Sequence, residues 1–128
     1  MARRDSRSSL TRAIGRGSAR SGAEHWWAER VSAIALVPLS IWLVAYLIAH
    51  MGADYARTIQ WLRLPSTVIV MILLLIALFH HTALGLQIII EDYVHSGMKF
   101  AALVAMKLAC AALAVAGIVA VLVIAFGS

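Results

Sequence analysis

The sequence is poor in charge, and its few charged residues are unevenly placed. Charged side chains make up 13% of the 128 residues, whereas 62% are hydrophobic. No Asp, Glu, Lys or Arg occurs in residues 31–53, in residues 64–90, or after Lys107. A helix buried in a soluble core is usually shorter and is flanked by amphipathic partners. Almost everything outside these runs is a short tail or loop, so the chain has no such partners to supply. A bilayer core about 30 Å thick is crossed by roughly 20 helical residues rising about 1.5 Å each. The runs therefore predict three spans, near 31–50, 66–90 and 100–126. Helices are expected because lipid cannot satisfy free backbone groups and the runs do not alternate as barrel strands do. The fold class is an all-α membrane protein with three transmembrane helices.

Other scarcities narrow the function. With no long loop, the chain cannot build the active site of a soluble-type enzyme. Cys110 is the single cysteine and lies in the third span, which excludes an intrachain disulfide and leaves a small packing residue. Only two prolines occur. Pro38 removes a backbone donor inside the first span, where it is expected to bend the helix, and Pro65 opens the second span, where a first-turn proline fits. Acidic residues are also few, giving a formal net charge of +5. In a membrane protein that excess reports topology, and no nucleic acid partner is expected.

The arginines that are present crowd one end. Arg3, Arg4, Arg7, Arg12, Arg16 and Arg20 precede the first span and Arg30 stands at its mouth, against only Asp5, Glu24 and Glu29. The positive-inside rule places this end in the cytoplasm, or in the matrix of a mitochondrion. Residues 1–24 form a basic N-terminal segment and residues 25–128 a three-helix membrane domain. The loop 51–65 then lies outside, Glu91–Lys99 inside, and the C-terminus outside. A basic tail touching anionic lipid or a soluble partner is the simpler reading of the N-terminus, and a transit peptide is the alternative. The expected location is a bacterial inner membrane, with the mitochondrial inner membrane as the alternative.

Trp26, Trp27 and Trp61 flank the spans as interfacial anchors, and His50 closes the first span at the outer face. Lys107 is about two turns inside the third span, within reach of the headgroups by snorkelling. The Ala- and Gly-rich run 109–117 suits close helix packing.

The chemistry concentrates on the second span, in residues 80–95. Ionisable residues within a span are expensive and usually face a bundle interior or a cofactor. At about 100° per residue, Gly85 lies about 40° from His81 and Asp92 returns to within about 20°, while His80 points about 100° away. Two readings of His81 stand side by side: an axial ligand to haem iron, with Gly85 letting a flat macrocycle lie close, and a hydrogen bond to a neighbouring helix. Tyr93, beside Asp92 at the inner face, is either an interfacial anchor or a donor to a quinone carbonyl. Arg30, at the same face, could pair with Asp92, hold a haem propionate, or reach lipid phosphate.

His81, Gly85, Asp92 and Tyr93, in the pattern His-x-x-x-Gly followed by Asp-Tyr, resemble the signature of the succinate dehydrogenase hydrophobic anchor family. The stretch from Ser21 to Ala35, with His25, Trp26, Trp27 and Arg30, resembles that family's approach to its first span. The resemblance covers roughly residues 15–128 and implies half of a haem-binding heterodimeric bundle. It implies a second membrane anchor as partner, with an iron–sulfur subunit and a flavoprotein subunit on the inner face. Iron–sulfur clusters and FAD belong to those partners, where succinate is oxidised. Haem b is shared between the anchors, and ubiquinone is the electron acceptor. By position, His81 is implied as the haem iron ligand, Tyr93 as a quinone hydrogen-bond donor and Asp92 as its assistant. Arg30 falls near a propionate or the quinone pocket.

Leu86-Gln87 after Gly85 and the closing Asp92-Tyr93 distinguish the sequence from the sister anchor, in which an Arg-His pair follows the glycine. Two rivals remain: the anchor of a quinol:fumarate reductase, and a cofactor-free structural membrane protein whose arginine tail binds lipid or a partner.

Overall fold

The computed structural model describes the chain from Arg16 to Ser128, with side chains from Gly22 onward. Among the described residues four helices follow one another: α1 (Arg16–Ala49), α2 (Tyr55–Leu62), α3 (Pro65–Tyr93) and α4 (Met98–Phe126), with no strand. Three segments among the described residues are long and apolar enough to cross a membrane: Gly22–Ala49, Pro65–Tyr93 and Met98–Phe126. Much of the basic segment expected over residues 1–24 falls outside the described residues. Where description begins, the chain is already helical, well ahead of the span expected from residue 31. A helix can run past the hydrocarbon because its hydrogen bonds lie within the segment in either medium. α1 also continues through Pro38 without interruption.

α3 is the central element. It packs against α1 on one side and α4 on the other, and among the described residues α1 and α4 do not touch. The α3–α4 contact relies on small side chains. Cys110, Ala111 and Ala114 face Phe79, His80 and Ala83 across a groove, and Gly117 lies against Leu75. The spacing 110, 111, 114, 117 is one helical stripe, so the small residues of that run share the face turned to α3. A Cβ on Gly117 would stand 3.1 Å from both Leu75 methyl carbons, which fixes how closely the two backbones approach.

The outer connection is more ordered than a plain loop. α1 closes at Ala49, and Gly52 then takes a left-handed backbone with φ +81°, which suits a residue without Cβ. His50 donates from Nδ1 to the Tyr46 carbonyl at 2.6 Å, with its ring stacked on Tyr46 and its edge against Trp61. Asp54 caps α2 by accepting from the Arg57 amide at 2.8 Å, which satisfies one of the free donors of the first turn. Pro65 then starts α3, where its missing N–H is of no consequence.

Arg63 ties this connection to the far end of the chain. Its Nε donates to the Ile124 carbonyl at 2.9 Å and its Nη2 to the Gly127 carbonyl at 2.6 Å. Carbonyls in the last turn of a helix have no partner within the helix and carry the negative end of its dipole. A guanidinium fork therefore suits them better than an ammonium does.

Few side chains are fully enclosed. Val68, Leu74 and Cys110 are the buried apolar ones among the described residues, while Ile34, Leu108 and Phe126 are 69%, 66% and 83% exposed. In hydrocarbon such exposure carries no penalty, and packing rather than solvent exclusion holds the helices together.

Two outcomes follow. Gly117→Val should destabilise the α3–α4 pair by about 1–3 kcal/mol through overpacking, while Gly117→Ala is tolerated because the Leu75 tip can turn aside; unfolding of the purified protein in mixed detergent micelles measures both. Arg63→Ala should lower stability by about 1 kcal/mol in the same titration, and Arg63→Lys should recover only part of it.

Candidate functional site

The neighbours of α3 sort its polar residues by face. His80 turns toward α4 and, with Ile76, Phe79, Ala83 and Lys107, lines an open groove of about 270 Å³. His81 turns toward α1, where its Nδ1 lies 3.0 Å from Ser32 Oγ. Ser32 is only 6% exposed and is one of two buried polar residues among those described, the other being Thr67. The doublet thus divides between two helices, as its angular offset requires.

The contact at Ser32 bears on the tautomer of His81. A hydroxyl has one proton to donate and two lone pairs to accept with. Ser32 Oγ also lies 2.9 Å from the Glu29 carbonyl oxygen, which can only accept. One arrangement that uses both contacts has Ser32 O–H donating to Glu29 and His81 Nδ1–H donating to Ser32. The proton of a neutral imidazole is then on Nδ1, and Nε2 retains its lone pair. An interhelical hydrogen bond and metal ligation, which read as alternatives in the sequence, are compatible here because they use different nitrogens.

Gly85 stands one turn closer to the inner end of α3, on nearly the same face. A Cβ built on it would meet nothing within 4 Å. The surface beside the His81 stripe is therefore open enough for a flat ligand to approach the backbone. Among the described residues, no three His, Cys, Asp or Glu side chains converge on a point that could hold a metal ion. His81 Nε2 can serve as one axial donor to a haem iron, and the second donor would have to come from another chain.

Asp92 and Tyr93 end α3. Both are exposed, Tyr93 by 80%, and neither has a hydrogen-bond partner among the described residues. Gln87 and Glu91, one turn apart, bond to each other at 3.0 Å and leave that pair alone. Tyr93 is about 18 Å along the axis from His81, so the two belong to separate sites on one helix.

Arg30 is exposed, and its guanidinium lies 5.0 Å from the centre of the Trp26 ring. It forms no ion pair with Asp92 among the described residues. Two residues from Ser32, it is turned about 200° around α1 and so away from His81. The fold of this chain thus brings Ser32 to His81 but does not bring Arg30 to either His81 or Asp92.

Ser32 is the residue that sequence reasoning misses. A small hydroxyl inside a charge-free run is a faint signal, because serine often bonds back to its own helix, as this one also does to Glu29. Its proximity to His81, 49 positions away, comes only from the packing of α1 on α3.

Known proteins resemble this chain over nearly its whole length. Residues 4–126 match the family described as succinate dehydrogenase/fumarate reductase transmembrane subunit. The succinate dehydrogenase hydrophobic membrane anchor subunit of Rickettsia bellii is 36% identical over 118 residues, covering 91% of this chain and 94% of the relative. The protein of the same description from Rickettsia conorii is 29% identical with the same coverage. That of Paracoccus denitrificans is 30% identical over 92 residues, covering 72% of this chain and 71% of the relative. No solved structure matches the chain. Three apolar helices and a family match across nearly the whole sequence lead to one conclusion: this multi-pass membrane protein belongs to the succinate dehydrogenase/fumarate reductase transmembrane subunits.

Proposed function

We propose that this chain is the hydrophobic membrane anchor subunit of a succinate:quinone oxidoreductase, supplying one axial ligand to a shared haem b and part of the ubiquinone-reduction site. The observation that carries the haem half is the contact of His81 Nδ1 with Ser32 Oγ at 3.0 Å, which occupies one ring nitrogen and leaves Nε2 to a metal. The open surface beside Gly85 fits the flat face of a macrocycle. Bound there, haem supplies a one-electron redox centre within the membrane. A second membrane anchor would supply the other ligand, and an iron–sulfur and a flavoprotein subunit dock on the inner face, where succinate is oxidised.

Tyr93 and Asp92 form this chain's part of the quinone site. The phenol can donate a hydrogen bond to a quinone carbonyl, and the neighbouring carboxylate can orient a partner cation or carry a proton from the aqueous side. Their lack of hydrogen-bond partners among the described residues suits groups that act on something outside the chain. Arg30 enters as a cation at the inner face with no carboxylate partner among the described residues, available to a propionate or to lipid phosphate once it leaves Trp26. The basic N-terminus is assigned to the cytoplasmic side of a bacterial inner membrane, on the arginine asymmetry of the sequence.

The purified complex should show a b-type absorbance spectrum that His81→Ala abolishes and His80→Ala preserves. Normal haem absorbance in assembled His81→Ala complex would remove His81 from the ligand role. Tyr93→Phe should lower succinate-driven ubiquinone reduction by about tenfold, the equivalent of one hydrogen bond, while reduction of an artificial dye by succinate stays unchanged. Equal loss of both activities would mark failed assembly instead.

A further inference from the structure

Ser32 lies outside the His-x-x-x-Gly and Asp-Tyr pattern, and so far it figures only as the contact of His81 Nδ1. It is a buried hydroxyl with two partners, the Glu29 carbonyl at 2.9 Å and His81 Nδ1 at 3.0 Å. With the hydroxyl proton donated to that carbonyl, the oxygen faces the imidazole as an acceptor.

We infer that Ser32 is the positioning residue of His81, holding the imidazole in the tautomer and ring orientation that present Nε2 as the metal-binding nitrogen and raising its donor strength. This rests on the reading of His81 as a haem ligand.

The physical grounds are three. An imidazole on a helix can swing about two side-chain torsions, and a single acceptor on a neighbouring helix removes much of that freedom. An acceptor at Nδ1–H draws the proton outward and increases electron density at Nε2, which strengthens the bond to a ferric centre more than to a ferrous one. The acceptor is also held by its own backbone: Ser32 is pinned to the carbonyl one turn earlier, so its oxygen cannot rotate away without losing that bond.

A second consequence concerns assembly. The bond spans α1 and α3, so the ligand is aimed by the packing of this chain before any partner anchor arrives. Metal-ligating histidines commonly use a carboxylate, carbonyl or water at this position, and loss of the outer partner typically lowers metal affinity about 10–100-fold. A serine is a weaker acceptor than a carboxylate, which places the expected effect at the lower end of that range.

The test compares four substitutions in the whole membrane complex: Ser32→Ala, Ser32→Thr, Ser32→Val and His81→Ala. Threonine keeps an acceptor oxygen, while valine has the same shape without it, so the Thr–Val difference isolates the hydroxyl from packing. Haem retention in detergent, the haem midpoint potential and the low-spin ferric electron paramagnetic resonance spectrum are recorded. Ser32→Ala and Ser32→Val should lose haem about tenfold faster, shift the potential upward and move the low-spin signal. Ser32→Thr should match the parent in all three.

If Ala and Val leave potential and spectrum unchanged, or if Thr and Val behave alike, Ser32 is only a structural tie between helices and the inference is overturned. If His81→Ala complex retains a normal haem spectrum, the ligand reading itself has failed. Haem loss in His81→Ala combined with parental spectra in the Ser32 variants would overturn the positioning role alone.

Discussion

Inside a bilayer a polar group has no water to turn to, so each one must find its partner within the protein or carry a penalty of several kcal/mol. The hydrogen bond between Ser32 and His81 is where that requirement is met at the centre of this molecule. It joins α1 to α3 and turns one histidine of the doublet toward α1. The other histidine is left to α4, in a mostly apolar groove that it shares with Lys107. The face carrying the candidate ligand is thus set by the packing of one helix on another. The same rule operates at the outer end of the bundle, where Arg63 answers the open carbonyls of α4 with both arms of its guanidinium.

The bundle built on these contacts is incomplete in a specific sense. α3 has neighbours on two sides, but α1 and α4 do not close around it among the described residues, and large apolar side chains on every long helix face outward. In lipid this is stable, since tails are as apolar as leucine. It also means that a macrocycle bound near His81 and Gly85 would have protein from this chain on one side alone. The proposed sharing of a cofactor across an interface is consistent with a surface of this kind. Tyr93 and Asp92 are also exposed, without hydrogen-bond partners among the described residues.

Much of this was legible before any coordinates. Charge-free runs located three helices because length and apolarity alone decide whether a segment can cross hydrocarbon. Helical phase separated His80 from His81 because adjacent residues on a helix cannot share a face. The short helix α2 was not foreseen, although Asp54 stands as its N-cap with Arg57 three residues on. A single polar residue before a brief, mixed segment is too common in loops to mark a helix start by itself. The extension of α1 below the membrane was likewise hidden, since an apolarity criterion detects only the part that lies in lipid.

The sequence by itself determined that the chain spans a membrane three times, and that His81, Gly85 and Asp92 lie on one stripe. Both properties depend on neighbours along the chain, through the rise and turn of a helix. Only the tertiary structure decided that the stripe's histidine meets Ser32 and that Arg30 points away from it, because these depend on which face of α1 is laid against α3. Interhelical distance is invisible to periodicity, and with it the contact between His81 Nδ1 and an oxygen 49 residues away.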